Sequence, residues 1–337
     1  MKILLTGASG CVGSHVLHEL GRRGHEVVVT ADSATKGEDI LRLYTKLGTK
    51  DTRLSYVVID TNIAQKGAFD AAVQSNPPFD AVIHTHGHFP PDLKDLEQDV
   101  LRPIVDGTTS LLQSIKAHAP QVRRVILMSS TAAIIRSDSH PAMYDESVWN
   151  NTSYQPGLDL ESVYAVSTTM AEKTAFMFLR KKGPNFSVTT ICGSAHFGPV
   201  VNRDRADKAT VDPCDRPIWE LIEGNYEAAL PPPGSHLWTD VRDVALAHVQ
   251  ALEAPEAPNQ RFLVAAKHYD NKKVVQIMRD ERLQLDSAPP PTDHPIDSPA
   301  DLFKFDNTKS VRILGLNYRS LQDSVKDTVQ SIHQLRG

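Results

Sequence analysis

The chain has 337 residues, a net charge of −5, 40% hydrophobic residues and 23% charged residues. This length accommodates one large α/β domain with a smaller appended lobe. The absence of a basic block and of any apolar run near about 20 residues excludes nucleic-acid binding and a membrane span. The three cysteines, Cys11, Cys192 and Cys214, lie far apart and lack metal-ligand spacing, which predicts a reduced, cytoplasmic protein.

Short apolar runs alternate with amphipathic stretches through the first half of the chain. The runs that predict buried strands are residues 3–5, 27–29, 56–59, 81–84, 125–128 and 188–192. Helical patterns cover residues 14–23, 101–117 and 162–182. Strands that alternate with helices form right-handed βαβ units, so we expect a Rossmann-like, doubly wound parallel sheet.

The pattern changes after Gly198-Pro199, where prolines become frequent. We expect a dinucleotide-binding domain over residues 1–192, to which 240–265 return, and a smaller substrate lobe over most of 193–337. Within the returning stretch, the pattern indicates a strand-edge turn followed by a helix. The aromatic and large apolar residues of the lobe either line a substrate pocket or form the core of the lobe: Phe197, Trp219, Tyr226, Leu230 and Trp238.

A glycine-rich turn follows the first predicted strand and opens the first helix. Gly7 permits the tight turn, Gly10 lets the backbone approach a pyrophosphate, and Gly13 lets the helix pack closely on the sheet. The N–H groups at the start of such a helix bind phosphate oxygens. The alternative is a purely structural turn. The cofactor contacts predicted here are Gly7, Ser9, Gly10, Cys11, Val12 and Gly13.

The ends of the second and third predicted strands carry acidic residues. Asp32 would accept a hydrogen bond from the ribose 2′-OH of NAD, which slightly favours NAD over NADP. Lys36 follows shortly after, and the alternative for Asp32 is a solvated loop carboxylate. At the end of the third strand, Asp60 is a candidate partner for the adenine edge, and Thr61 is placed beside it among the predicted cofactor contacts.

Further segments accompany the glycine turn. Ser129 and Ser130 follow the central strand, and Tyr164 lies in Ser-Val-Tyr-Ala-Val-Ser at 162–167. Together with 144–149 and 238–245, these residues resemble the extended short-chain dehydrogenase/reductases of the NAD-dependent epimerase/dehydratase superfamily. Within it, they are most similar to the dihydroflavonol reductase branch and the fungal methylglyoxal and ketone reductases. The resemblance covers the whole chain and implies a cleft between a Rossmann-like domain and a substrate lobe.

The resemblance also implies catalytic roles. In that family a tyrosine protonates the carbonyl oxygen and a serine hydrogen-bonds it, roles that fall to Tyr164, which would also border the cofactor, and to Ser130. A lysine four residues after the tyrosine holds the nicotinamide ribose and lowers the tyrosine pKa, but Thr168 occupies that position. Lys173 lies too far along the helix to substitute for it. Without a lysine that adjusts the pKa of the tyrosine, acid–base catalysis would be weaker, and the rate would fall by roughly 10²–10⁴-fold.

Other positions also depart from the family pattern. Cys192 stands where the family has an asparagine beside the nicotinamide, and Asp106 replaces a structural asparagine. We nevertheless expect Cys192 and Ser129 to contact the cofactor. These departures lie at the nicotinamide and substrate end of the cleft, whereas the pyrophosphate turn is intact.

Histidines cluster after the fourth predicted strand. In an extended segment His84, His86 and His88 would share one face at the carboxyl end of the sheet, where ligands bind in such folds. His84 and Thr85 are predicted to lie against the cofactor, with packing under the nicotinamide as the simplest role of His84. His86 and His88 are candidates for substrate contact or acid–base catalysis. A metal site is less favoured by this spacing, and we expect none.

Three functions are compatible with these residues. The first is NAD(P)H-dependent reduction of a carbonyl on a small organic molecule, aromatic or polyketide-like, in secondary metabolism. The second is non-redox chemistry on the same fold, as a cyclase, isomerase, dehydratase or lyase that uses Tyr164 and the cleft histidines. The third is a catalytically inactive dinucleotide-binding protein. In each case we expect a small-molecule partner, no nucleic acid, no membrane, and a monomer or homodimer.

Overall fold

The computed structural model describes residues 1–46, 53–59, 62–85, 93–136, 139–201, 214–224, 237–286 and 303–336. The strands are β1 (Lys2–Thr6), β2 (Glu26–Ala31), β3 (Leu54–Val58), β4 (Ala81–His84), β5 (Arg124–Ser130), β6 (Ser187–Gly193), β7 (Ala195–Phe197), β8 (Leu237–Asp240), β9 (Arg261–Val264) and β10 (Lys267–His268). The helices are α1 (Cys11–Arg22), α2 (Ala34–Lys46), α3 (Arg102–His118), α4 (Leu160–Lys182), α5 (Arg216–Glu223), α6 (Val241–Glu253), α7 (Asn271–Asp280), α8 (Thr308–Leu314) and α9 (Leu321–Arg336).

Seven strands form one parallel sheet in the order β3-β2-β1-β4-β5-β6-β9. All six predicted strands belong to it, so the Rossmann-like α/β prediction is confirmed. The strand order reverses between β1 and β4, and ligands bind at the carboxyl ends of the strands beside such a reversal. The candidate cleft therefore lies above the ends of β1, β4 and β5.

Side chains of β1 alternate between two hydrophobic cores, one on each face of the sheet. Ile3 and Leu5 pack on the face covered by α1 and α6. Leu4 packs on the opposite face, which is covered by α3 and α4. Because both faces are buried, the strands read in the sequence as continuous apolar runs rather than as alternating ones.

Later parts of the chain return to this sheet. The pattern at 240–252 is a strand end followed by α6, as predicted, and α6 packs on the same core as α1. β9 adds the seventh strand next to β6. Leu314 of α8 and Leu316 also join this core, a return that the sequence did not suggest.

The smaller lobe has its own core. Strands β10, β8 and β7 form a second sheet, which packs with α5, α7 and α9. Phe197 stacks on Trp238 with ring centroids 5.5 Å apart, and Trp219 is buried with them. These three side chains therefore form the core of the lobe, whereas Tyr226 and Leu230 lie outside the described residues. In the described part of the chain, no helix has the length and apolarity needed to cross a membrane.

The cysteines differ from the sequence expectation. The sulfur atoms of Cys11 and Cys214 form a disulfide across a separation of 203 residues, and the thiol of Cys192 is free and buried. The expectation of three reduced cysteines is therefore wrong for Cys11 and Cys214. Distance along the sequence was a poor guide, because the fold places the smaller lobe against the start of α1.

Candidate active site

The glycine turn has the geometry needed to hold a dinucleotide phosphate. Gly7 adopts φ +77°, which favours glycine, and its carbonyl accepts a 3.0 Å hydrogen bond from the N–H of Gly10. A Cβ on Gly13 would lie 2.0 Å from the oxygen of Gly7, so no larger residue fits there. The three glycines keep the backbone accessible beside the start of α1, and the free N–H groups of its first turn suit a pyrophosphate.

Two predicted cofactor residues support this turn from below. The hydroxyl of Thr85 donates a 2.7 Å hydrogen bond to the carbonyl oxygen of Thr6, and His84 Nδ1 lies 2.6 Å from the hydroxyl of Thr6. Both side chains are buried. Val12 is also buried in the core beneath the turn, whereas Ser9 and Cys11 are half-buried. In this arrangement His84 and Thr85 fix the position of the turn.

The end of β2 presents charges of both signs. The carboxylate of Asp32 forms an ion pair with the ammonium of Lys36, one helical turn away in α2, and the Asp32 side chain is 37% exposed. Asp32 stands immediately after the strand, in the position from which a ribose would be reached. Asp60 and Thr61 lie outside the described residues, and their predicted contacts stay predictions.

Tyr164 and Ser130 meet at the carboxyl end of β5. Asp159 caps α4 by accepting a hydrogen bond from the N–H of Ser162, which fixes the start of the helix one turn before Tyr164. The hydroxyl of Ser130 accepts a 3.1 Å hydrogen bond from the N–H of Ala132 and is hydrogen-bonded to Tyr164. Burial raises the pKa of Tyr164 above 10, and the hydrogen bond with Ser130 offsets part of that rise.

The residue at the lysine position does not replace the lysine. The hydroxyl of Thr168 donates to the backbone oxygens of Tyr164, at 3.0 Å, and Ala165, at 3.2 Å, within its own helix. Lys173 instead lies 5.4 Å above the ring of Trp149. Within the described residues, no charged group shifts the pKa of Tyr164. The phenol is therefore set up to give a proton rather than to take one.

A buried polar network behind this site was missed in the sequence. The carboxylate of Glu172 accepts hydrogen bonds from Ser129 at 2.6 Å and Thr190 at 2.7 Å, and it forms an ion pair with Arg261 at 2.8 Å. All four side chains are buried. The only sequence signal was a glutamate on the apolar face of a long helix. The network fixes α4, and with it Tyr164, against β5 and β6.

This network also uses two predicted cofactor residues. The hydroxyl of Ser129 donates its hydrogen bond to Glu172, and the Cys192 sulfur lies 3.5 Å from the same carboxylate. Burial and the negative charge of Glu172 raise the pKa of the Cys192 thiol well above its usual range. The predicted contacts of Ser129 and Cys192 with the cofactor stay predictions.

Besides His84, two further histidines lie near the cleft. His86 and His88 are outside the described residues, so their catalytic roles stay predictions. His196, on β7, has its pKa lowered by burial, and its Nδ1–H donates to the oxygen of Ser194 at 2.9 Å. Burial also lowers the pKa of His15, on α1, to about 4. Both are neutral imidazoles at pH 7.

The sheet order, the glycine turn at the end of β1 and the serine–tyrosine pair at the end of β5 define a dinucleotide-dependent oxidoreductase of the short-chain type. The chain belongs to the NAD dependent epimerase/dehydratase family, whose family model matches residues 3–265. The resemblance drawn from the sequence is therefore confirmed.

Known proteins resemble this chain along its whole length. The ketoreductase azaE of Aspergillus niger is 38% identical over 332 residues, which are 98% of this chain and 97% of that protein. The crystal structure of Gre2 from Candida albicans in complex with NADPH has a TM-score of 0.87 at 30% identity and covers 100% of both chains. The yeast methylglyoxal/isovaleraldehyde reductase Gre2, also complexed with NADPH, has a TM-score of 0.85 at 27% identity and covers 99% of this chain and 98% of that one.

Proposed function

We propose that this protein reduces a carbonyl group on a small organic molecule with NADH or NADPH. The observation that carries the proposal is the hydrogen bond between Tyr164 and Ser130 at the same edge of the sheet as the glycine turn. The names of the relatives support it, since azaE is a ketoreductase and both Gre2 structures hold NADPH.

The chain's own residues handle the carbonyl oxygen. When bound, the nicotinamide supplies the hydride. The hydroxyl of Tyr164 donates its proton to the oxygen, and the hydroxyl of Ser130 donates a hydrogen bond that stabilises the charge developing there. Because the raised pKa of Tyr164 keeps the phenol protonated at neutral pH, the site favours reduction over the reverse reaction, in which Tyr164 would have to act as a base.

The cofactor preference rests on Asp32. An acidic side chain at this place accepts hydrogen bonds from a ribose 2′-OH and repels a 2′-phosphate. We expect Asp32→Asn to lower the ratio of NADH affinity to NADPH affinity about tenfold, equivalent to about 1.4 kcal/mol. Calorimetric titration of both cofactors measures the ratio, with Lys36→Met as the control that removes the opposite charge. An unchanged ratio in Asp32→Asn would make Asp32 a solvated surface carboxylate.

We place the substrate among aromatic or polyketide-like ketones and aldehydes, in secondary metabolism. This class follows from the resemblance to the dihydroflavonol reductase branch and is compatible with a ketoreductase relative. The protein is proposed to act in the cytoplasm as a monomer or homodimer.

The test follows NAD(P)H oxidation with methylglyoxal, isovaleraldehyde and aryl methyl ketones as probes. Tyr164→Phe should lower kcat/KM by roughly 10²–10⁴-fold while the affinity for NADPH is kept. Tyr318→Phe is the matched control, because it removes the hydroxyl of another half-buried tyrosine, which is bonded to Ser310 rather than to Ser130. Full activity in Tyr164→Phe would refute the role of Tyr164, and substrate turnover without NAD(P)H oxidation would favour the non-redox alternative.

A further inference from the structure

A covalent bond joins the two lobes at the cofactor cleft. Cys11 is the first residue of α1 and directly follows Gly10 of the phosphate-binding turn. Cys214 lies two residues before α5, which belongs to the core of the smaller lobe. The disulfide between them therefore ties the smaller lobe to the pyrophosphate end of the candidate cleft.

Neither lobe needs this bond for its own packing. The core beneath α1 is built from the central sheet and its helices, and the core of the smaller lobe is built from β7, β8 and its own helices. Both cysteines are half-buried rather than enclosed in either core. The bond thus acts between the lobes, and its site is within reach of small reagents.

The surroundings distinguish the two sulfur atoms. Cys11 occupies the positive end of a helix of 12 residues, which favours a thiolate. Cys214 has its sulfur 3.5 Å from the carboxylate of Asp215, which disfavours one. Cys11 is therefore the better nucleophile of the pair.

A third side chain completes the cluster. A ring nitrogen of His196 lies within 4.8 Å of both sulfur atoms. Because Nδ1–H donates to the carbonyl oxygen of Ser194, the lone pair of this imidazole is on Nε2. His196 therefore has a basic nitrogen available for a thiol proton, and nothing in the reductase chemistry proposed above requires this residue.

We propose that Cys11 and Cys214 are a thiol–disulfide switch that controls the passage of the dinucleotide to and from the glycine turn. The proposal rests on the dinucleotide binding proposed above. In the oxidised form Cys214 and Asp215 are held beside the first turn of α1, which borders the path of the pyrophosphate to the glycine turn. In the reduced form the two lobes can separate at this end, and the cofactor exchanges freely.

The oxidant is a low-molecular-weight disulfide such as oxidised glutathione. The Cys11 thiolate attacks one of its sulfur atoms, forming a mixed disulfide and releasing one glutathione thiolate. The Cys214 thiolate then attacks the Cys11 sulfur and releases the second. Two cysteine thiols are oxidised, one glutathione disulfide is reduced to two thiols, and the two protons lost by the cysteines are taken up by the leaving thiolates.

The experiment compares the purified full-length chain after treatment with oxidised glutathione and after treatment with dithiothreitol. Intact mass and thiol titration under denaturing conditions should give one free thiol in the oxidised protein and three in the reduced protein, since the chain has three cysteines. Stopped-flow fluorescence then measures NADPH association and dissociation. Both rates should be about tenfold higher in the reduced protein, because opening of the cleft then no longer limits passage of the cofactor.

Cysteine variants distinguish an effect of the Cys11–Cys214 disulfide from other effects of the oxidising and reducing treatments. Cys214→Ser should show the fast rates under both treatments, and Cys11→Ser gives a second test from the other partner. Cys192→Ser, which alters the remaining cysteine, should keep the response. Equal rates in the fully oxidised and fully reduced protein would overturn the switch but leave dinucleotide binding intact, whereas absence of binding in either state would overturn the proposed function. Stoichiometric zinc in the reduced protein, lost in Cys214→Ser, would overturn the switch in favour of a metal site.

Discussion

Restoring a lysine at position 168 tests whether Tyr164 works without a neighbouring cation. Thr168 lies one helical turn after Tyr164, so the two side chains emerge from the same face of α4, about 5–6 Å apart at Cβ. An ammonium about 5 Å from the phenol oxygen, at an effective dielectric constant of about 20, stabilises the phenolate by about 3 kcal/mol. This corresponds to a fall of about two units in the pKa of Tyr164 in Thr168→Lys.

The wild-type pH profile gives the sign of the effect. Burial raises the pKa of Tyr164, so the phenol stays protonated through neutral pH, and reduction should stay level until the pH exceeds 10. Oxidation of the alcohol needs the phenolate and should rise with pH over the same range. In Thr168→Lys the whole oxidation profile should shift about two pH units lower. At pH 7 this variant should then hold up to about 100-fold more phenolate than the wild-type protein.

The assay follows NADP reduction with 3-methylbutan-1-ol, the alcohol of isovaleraldehyde, between pH 6 and 11. Thr168→Met is the matched control, because it fills the same buried position with a long side chain that has no charge. The control should keep the wild-type profile even if packing lowers its rate. If Thr168→Lys and Thr168→Met give the same profile in a folded protein, Tyr164 is not the group that transfers the proton.

Three further predictions concern binding and stability. Gly13→Ala should abolish NADPH binding in calorimetry, because its Cβ would lie 2.0 Å from the oxygen of Gly7; retained affinity would contradict the assignment of the turn. Glu172→Gln should destabilise the protein by about 3–5 kcal/mol in urea unfolding, because the buried Arg261 loses its counter-ion; a loss below about 1 kcal/mol would show that the pair is dispensable. Burial lowers the pKa of His248 from 6.5 to about 4, so the unfolded chain binds a proton there before the folded one does, and stability should fall as the pH drops from 6.5 toward 4. Between pH 7 and 5 this group should cost about 2 kcal/mol, and His248→Asn should remove that part of the pH dependence if the reasoning is correct.

The sequence predicted the features that depend on residues close together along the chain. Most of the six apolar runs form strands that are buried on both faces of the sheet, so their apolar character is visible in the sequence without knowledge of the neighbouring strands. The edge strand β3 is only half-buried. The glycine turn was recognised because a strand, a glycine-rich turn and a helix N-terminus follow one another within a few residues, with glycines from Gly7 to Gly13. The resemblance to the family assigned catalytic roles to Ser130 and Tyr164, and the structure brings these two side chains into contact.

Other features depend on residues brought together from distant parts of the chain. Glu172 and Arg261 are 89 residues apart, and the sequence around either residue does not indicate that the two form an ion pair. The orientation of a side chain is equally invisible: Ser129 and Cys192 were expected to face the cofactor, but their side chains turn to Glu172. The orientation of the Thr168 hydroxyl is likewise set by its hydrogen bond to the backbone oxygen of Tyr164.

The sequence by itself determined the strands of the sheet and the glycine turn, since these follow from periodicity and from a motif with a restricted backbone geometry. Through the family resemblance it also predicts that Tyr164 is the proton donor. Only the tertiary structure decided that no described cation supports Tyr164, and that Cys11, Cys214 and His196 meet at the cofactor cleft. The physical reason is that charge, burial and bonding between lobes depend on distances in space, which the packing of the smaller lobe against α1 sets and the spacing along the chain does not.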